Sequence, residues 1–368
     1  MIFMMNAVLL GKHIDKDLWQ DVLARLDINL LADQILVIWD WRFLDQEHVH
    51  QVFPWTDWHS ICEQYQDKRI ILIIDSMCEA PHYGRHLSPL VDALLDQGRL
   101  SAHDIINLNG GQELAPVIPT LNCLGAFRKF SRDLEPAKDV EHHFIMLARV
   151  PKMLRVLAAV AVLDRGLDSF GFMSCGTREE DTTDTEWCDI WVPDHLKSHF
   201  PMLLDGHVRD FDTAQFHVSD DRIRNAAINV ICETSQDDFI YANAPPNTVW
   251  SDRFITEKSA KAFRLLQIPI WISVPGTVQS IRDLGFDVFD DVVDHGYDLE
   301  PDPRLRVSHA IDQLERFCTH DITMVRDLRA SLMLRLASNK MLADTLVLDF
   351  QSDLASLLNG YLRDRFNR

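Results

Sequence analysis

Residues 254–298 read FITEKSAKAFRLLQIPIWISVPGTVQSIRDLGFDVFDDVVDHGYD. Thr256 suits a helix N-cap, Glu257 and Lys258 fall in the first turn, and Ala260, Phe263 and Leu266 recur at helical spacing behind them. That pattern predicts an amphipathic helix whose N-terminus is free to meet a ligand. Unpaired backbone N–H groups and the positive dipole end at a helix start suit a diphosphate, Lys258 adds a point charge, and Glu257 is placed to accept hydrogen bonds from ribose hydroxyls. The run Ile268 to Val274, with Trp271 inside it and Pro275-Gly276 after it, reads as a buried strand leaving into a tight turn. Helix, strand and glycine turn in that order is the order of an α/β domain. For an isolated Thr-Glu-Lys triplet the plainer alternative is an ordinary cap followed by a solvated lysine.

Upstream lies a second short apolar run, NVICETS, ending at Ser235. Together the two pieces, Glu233-Thr234-Ser235 and Thr256-Glu257-Lys258, resemble the donor-binding core of fucosyltransferase-like glycosyltransferases, including phage- and virus-encoded ones. In that family one segment ends a strand and the other opens the helix that grips a sugar nucleotide. The resemblance extends to the Ile-Pro-Ile turn, to Pro275-Gly276, and to Leu284-Gly285-Phe286 with Phe289-Asp290-Asp291. It implies a GT-B-like architecture, two Rossmann-type α/β domains facing a central cleft. It further implies a nucleotide-diphosphate sugar as donor substrate, GDP-fucose by family default, no tightly bound cofactor, no metal, and inversion at the transferred carbon.

Composition is that of a large globular chain. The 368 residues are enough for two separate cores, and 47% hydrophobic against 25% charged content argues against disorder. A net charge of -20 opposes nonspecific adhesion to nucleic acid or anionic membrane, since both need surplus Lys and Arg. A local basic patch for a nucleic-acid acceptor stays open but is not favoured. The N-terminal MIFMMNAVLL lacks a basic leader and is followed by Lys12, His13 and Asp15, so it reads as a first strand and not a signal peptide. The longest apolar run, Val156 to Leu163, is too short to span a bilayer. Seven cysteines scattered without a CxxC pair point to reduced thiols in the cytoplasm, the host's if the chain is virus-encoded. Cys175 and Cys188 with His195 and His199 match no common zinc spacing.

Strands alternate with helices in two blocks. Ile35 to Trp39, Arg69 to Ile74 and Asp104 to Asn109 read as strands of an N-terminal Rossmann-like acceptor domain, residues 1–138. They end in Asp40, Asp75 and Asn109, where open α/β sheets place their ligands. The general base for an acceptor hydroxyl is therefore expected at Asp75, with Glu79 and Asp40 behind it. The charged stretch Ser131 to His143, with Pro136, marks the boundary to a nucleotide-sugar-binding domain at 139–345. There Phe144 to Ala148 reads as a strand, a helix carrying Leu154, Leu157, Ala158 and Ala161 runs to Gly166, and Ser169 to Ser174 follows as a strand.

Arg149, Lys152 and Arg155 cluster where that first strand meets its helix. Related glycosyltransferases contact the donor diphosphate from such a junction, which favours Arg149, then Arg155; a solvated basic face is the alternative, above all for Lys152. The acidic, Thr-rich run with Asp181, Asp184 and Glu186 reads as a hydrated loop more than a cation site. For Asp290, Asp291, Asp294 and Asp298 the resemblance implies a structural or donor-edge role, whereas mutual repulsion argues that they face solvent. Beyond Val307 the pattern is helical, and residues 346–368 are expected as a terminal helix packing back across the domains.

The expected function is transfer of a sugar from the nucleotide to a glycan or other hydroxyl acceptor. Arg149, Arg155, Glu233, Thr234, Ser235, Thr256, Glu257 and Lys258 would bind the donor, with Lys258 also stabilising the leaving group. The competing readings are a non-catalytic binding or structural protein on the same scaffold and a nucleic-acid-modifying glycosyltransferase.

Overall fold

A computed structural model describes residues 2–4, 7–10, 16–40, 53–75, 88–101, 104–108, 135–148, 152–175, 191–202, 220–233, 255 and 257–366; Asp40 and Glu257 are described for backbone only. The chain divides into two compact units, Met1–Ala126 with Leu346–Arg368, and Phe127–Thr345. Boundaries after 138 and 345 were expected from sequence; the units part after 126 and 345.

The first unit holds β1 (Ile2–Met4), β2 (Ala7–Leu10), β3 (Gln34–Asp40), β4 (Arg69–Asp75) and β5 (Ile105–Asn107), in the spatial order of the sequence. β2 to β5 pair in parallel. Their continuous Val, Ile and Leu runs suit strands covered on both faces, and Ile70 to Ile74 are at most 2% exposed. The run expected as one N-terminal strand is two, because Met4 pairs with Ala7 and the chain folds back antiparallel. α1 (Lys16–Ala24), α2 (Trp55–Gln64) and α3 (Ser88–Asp96) bury Trp19, Trp58 and Leu94. The parallel register sets Asp40 beside Asp75 at the carboxyl ends of β3 and β4.

The second unit holds β6 (His142–Ala148), α4 (Met153–Asp164), β7 (Gly171–Cys175), α5 (Asp220–Arg224), β8 (Ala226–Cys232), α6 (Glu257–Arg264), β9 (Ile268–Ile272) and α7 (Thr277–Asp283). Its four strands are all parallel, in the order β7-β6-β8-β9. α4 ends at Gly166, whose φ of 65° is left-handed and costs glycine little. α6 is shorter than its apolar spacing suggests: Leu266 lies past its end at φ 56°, where Gln267 N–H donates to Ala262 O at 3.0 Å and closes the last turn. α8 (Pro303–Cys318), capped by Asp302, packs on α4 and β9. Its Arg306 is 1% exposed and stays charged in the core by donating to the carbonyls of Ser273 at 2.8 Å and Glu300 at 2.5 Å.

α9 (Ile322–Ser331) follows, then α10 (Met333–Phe366), a single helix of 34 residues where a short terminal helix was expected. Within the first unit its Leu354, Ala355, Leu358 and Leu362 are buried at helical spacing. Asn359 accepts from Asp27 N–H at 2.8 Å and donates to Arg25 O at 3.0 Å, anchoring that end to the turn after α1.

Of the acidic residues after β9, Asp290, Asp291 and Asp294 are exposed, as repulsion argued, whereas Asp298 is buried. Asp290 pairs with Arg282 at 2.8 Å and Asp291 with Arg335 at 2.8 Å. Asp294 accepts from Gly296 N–H, while Asp298, 7% exposed, accepts from Val278 and Gln279 N–H at 3.1 and 3.3 Å. Each carboxylate has its own donor, so the repulsion that the spacing suggested is offset locally.

Candidate functional site at the carboxyl edge of the second sheet

β6 connects through α4 to β7 on one side, whereas β8 and β9 extend from the other side of β6. The strand order therefore reverses between β6 and β8. In open α/β sheets the carboxyl edge at such a reversal is where ligands bind. The residues just past β8 and in the first turns of α4 and α6 line that edge.

Glu233 follows β8 directly and is 1% exposed. Its backbone N–H donates to Ile272 O at 3.1 Å, extending the pairing with β9 by one residue. Its Oε1 accepts from the Ser259 hydroxyl at 2.7 Å, and Ser259 Oγ accepts from the Trp271 indole N–H at 3.0 Å. Lys258 presents its ammonium to Glu233 Oε2 at 3.7 Å and keeps 22% of its side chain exposed. At that separation the attraction is Coulombic and not a directional hydrogen bond.

Arg155, in the first turn of α4, is 6% exposed. Burial pushes the Cys232 thiol up to about 12, while the Arg155 and Lys258 charges pull it down. Both cations thus sit close enough to the end of β8 to act on it electrostatically. Among the described residues, Lys258 faces the buried Glu233 carboxylate, and both Lys258 and Arg155 act electrostatically on the end of β8. α6 begins here too, with its amide donors at the same edge.

The other helix that starts nearby, α7, is closed to an anion because Asp298 already occupies its first amides. A pocket of about 310 Å³ beside α7 is lined by Arg282, Asp290, Asp294 and Asp298 among others, and all four are engaged as described above. The α6 edge combines a helix start with the cationic side chain of Lys258 beside a buried carboxylate.

Of the expected donor residues, Arg155, Glu233 and Lys258 come together. Arg149, Thr234, Ser235 and Thr256 lie outside the described residues, and Glu257 is placed only as the first residue of α6. Ser259 and Trp271 escaped notice as polar partners. The sequence did carry the signal: a serine between lysine and alanines on the apolar face of a short helix needs a buried donor or acceptor.

Among the expected bases, Asp75 ends β4, is 7% exposed, and accepts from the Trp19 indole N–H at 2.8 Å. Asp40 is its register neighbour; Glu79 lies outside the described residues, as do Asp181, Asp184 and Glu186. Among the described residues no group of three or more His, Cys, Asp and Glu is gathered as for a metal ion. Among them, too, no helix is long and apolar enough to cross a membrane.

No family model and no curated protein matches the chain. Among solved structures, an OtsA apo structure is similar to it with a TM-score of 0.36 and 13% identity, covering 92% of this chain and 76% of that one. α,α-Trehalose 6-phosphate synthase from Burkholderia multivorans is similar with a TM-score of 0.37 and 11% identity, covering 95% of this chain and 77% of that one. Likenesses of this size say nothing about what the chain binds.

Proposed function

We propose that the chain is a GT-B-type glycosyltransferase whose second unit binds a nucleotide-diphosphate sugar at the reversal between β6 and β8. The observation that carries this reading is the convergence of Arg155, Lys258 and the start of α6 around Glu233 at that edge. A diphosphate fits it because a dianion gains from two nearby cations and from the positive end of a helix.

In the proposed reaction the acceptor oxygen attacks the anomeric carbon as the bond to the diphosphate breaks. The electron pair goes to the terminal phosphate oxygen, and the acceptor proton goes to a carboxylate. Lys258 and Arg155, with Arg149 by sequence, stabilise the charge building on the leaving group, a contribution of the size seen for preorganised donors, about 3–4 kcal/mol each at most. Asp75 is the proposed base, with Asp40 and Glu79 as substitutes, and inversion is what the sequence resemblance implies. GDP-fucose as the donor rests on the sequence resemblance alone, and a cytoplasmic setting on the scattered cysteines.

A second reading, a non-catalytic binding protein on the same scaffold, draws on the pairing of Lys258 with Glu233, which neutralises the lysine within the chain. A nucleic-acid acceptor is disfavoured by the net charge of -20. Thermal-shift titration with GDP-, UDP- and CMP-sugars separates them. Stabilisation by one nucleotide, with radiolabel transfer lost in Lys258→Ala, supports the transferase; no shift with any donor favours the binder.

A further inference from the structure

Ser259 touches the buried carboxylate of Glu233 on one side and the Trp271 indole on the other, and its own chemistry fixes what it does there. An indole N–H only donates, so Ser259 Oγ must accept at 3.0 Å; its single proton then has one direction left, to Glu233 Oε1 at 2.7 Å. All three side chains are at most 1% exposed, so water does not compete for these bonds. They come from three elements, the end of β8, the first turn of α6 and the middle of β9.

We propose that Ser259 is a positioning residue for Glu233. Locked as a donor by Trp271, it fixes the plane of the carboxylate so that Oε2 faces the Lys258 ammonium. In doing so it ties the backbone that carries Lys258 to the strand end that carries Glu233. The relay sets the spacing between the anionic and cationic groups that meet the ligand. A ligand with a hydroxyl next to a phosphate would match that spacing, the hydroxyl donating to Glu233 and the phosphate meeting Lys258. The role rests on the donor-site reading above, although the relay itself can be tested without any ligand.

Two readouts on the full chain test it. In protein labelled with ¹⁵N-tryptophan, Trp271→Phe assigns the Trp271 indole resonance, which is expected to exchange slowly with solvent and to shift in both Ser259→Ala and Glu233→Gln. Calorimetric titration with GDP and with UDP then measures function. Ser259→Ala is expected to weaken the bound nucleotide on the order of tenfold, as for loss of a hydrogen bond to a charged group. Ser259→Thr, which keeps the hydroxyl, should restore affinity, and Trp271→Phe should add little to Ser259→Ala because both cut one relay.

An indole resonance indifferent to Glu233→Gln overturns the relay. Unchanged affinity in Ser259→Ala, or losses that add fully in the double variant, overturns the positioning role while leaving the donor site in place. Silence of the wild type towards both nucleotides, with the relay intact, overturns the donor-site reading and this role with it. Glu233→Gln, which keeps the size and shape of the side chain and changes its charge, puts the same question should Ser259→Ala fail to fold.

Discussion

The two sheets are built from the same kind of strand and differ in one topological respect. In the first unit the described strands β1 to β5 follow one another in sequence order, whereas in the second the order reverses between β6 and β8. A sheet wound one way offers no crevice between diverging connections, while a reversal creates one at the carboxyl edge. The chemistry divides accordingly. The first unit's carboxyl edge shows a buried carboxylate held by an indole, Asp75 with Trp19. The second unit's edge gathers two cations, a carboxylate and a helix start. In the proposed function the second sheet would meet the ligand's charge and the first would supply the proton acceptor.

The largest effect expected from breaking this division is on the base. Asp75→Asn should lower kcat by about 10²- to 10⁴-fold, the usual worth of general base catalysis, and leave nucleotide affinity in the second unit unchanged. A steady-state assay paired with a nucleotide titration checks both halves, and a loss of affinity would show that the division is wrong. Lys258→Ala should do the reverse, weakening nucleotide binding and lowering kcat/KM by about 10²- to 10³-fold. Full transfer activity in that variant would remove the lysine from the site.

Gly171 sharpens the comparison through stability. A Cβ there would lie 2.3 Å from the backbone oxygen of Phe144, so the pairing of β7 with β6 must open to admit it. Gly171→Ala should cost about 3 kcal/mol, at the upper end for overpacking, in the second unit alone. Proteolysis followed by mass spectrometry locates the loosened unit, and cuts confined to the first would contradict the account.

The smallest effect is on pH dependence. His295 is buried between Val288 O and the Tyr297 hydroxyl, and desolvation, the largest influence, holds its pKa below the ordinary 6.5 or so. The folded state therefore binds fewer protons than the unfolded one. The stability this contributes is fully present above about pH 6.5 and is lost as the pH falls through the folded pKa. His295→Gln should flatten that slope in denaturant melts taken between about pH 7 and pH 5; an unchanged slope would point to other groups.

Much of this was legible in the sequence because it rests on local signals. Continuous β-branched runs marked β3, β4, β6, β8 and β9, and the Gly166 stop fixed the end of α4. Arg155, Glu233 and Lys258 could be named chiefly through the family resemblance, with the helix start at Thr256 as the local signal for Lys258. What escaped needed contacts across the fold. The Ser259 relay joins residues 26 positions apart to Glu233 and 12 apart to Trp271, and no spacing rule carries that. Of the carboxylates after β9, the exposed Asp290, Asp291 and Asp294 were legible, but the burial of Asp298 and the pairing of Asp291 with Arg335, 44 residues further on, were not. Strand order, too, is invisible to periodicity, and it is the strand order on which the proposed site rests.

The central claim is that an anionic leaving group docks at the edge between β6 and β8. Crystals of the chain soaked with GDP or UDP test it most directly. The account expects diphosphate density within hydrogen-bond reach of the Lys258 ammonium, close to Arg155 and the first amides of α6. A nucleotide bound elsewhere, or a Lys258 that remains turned to Glu233 with the phosphates out of reach, would contradict it.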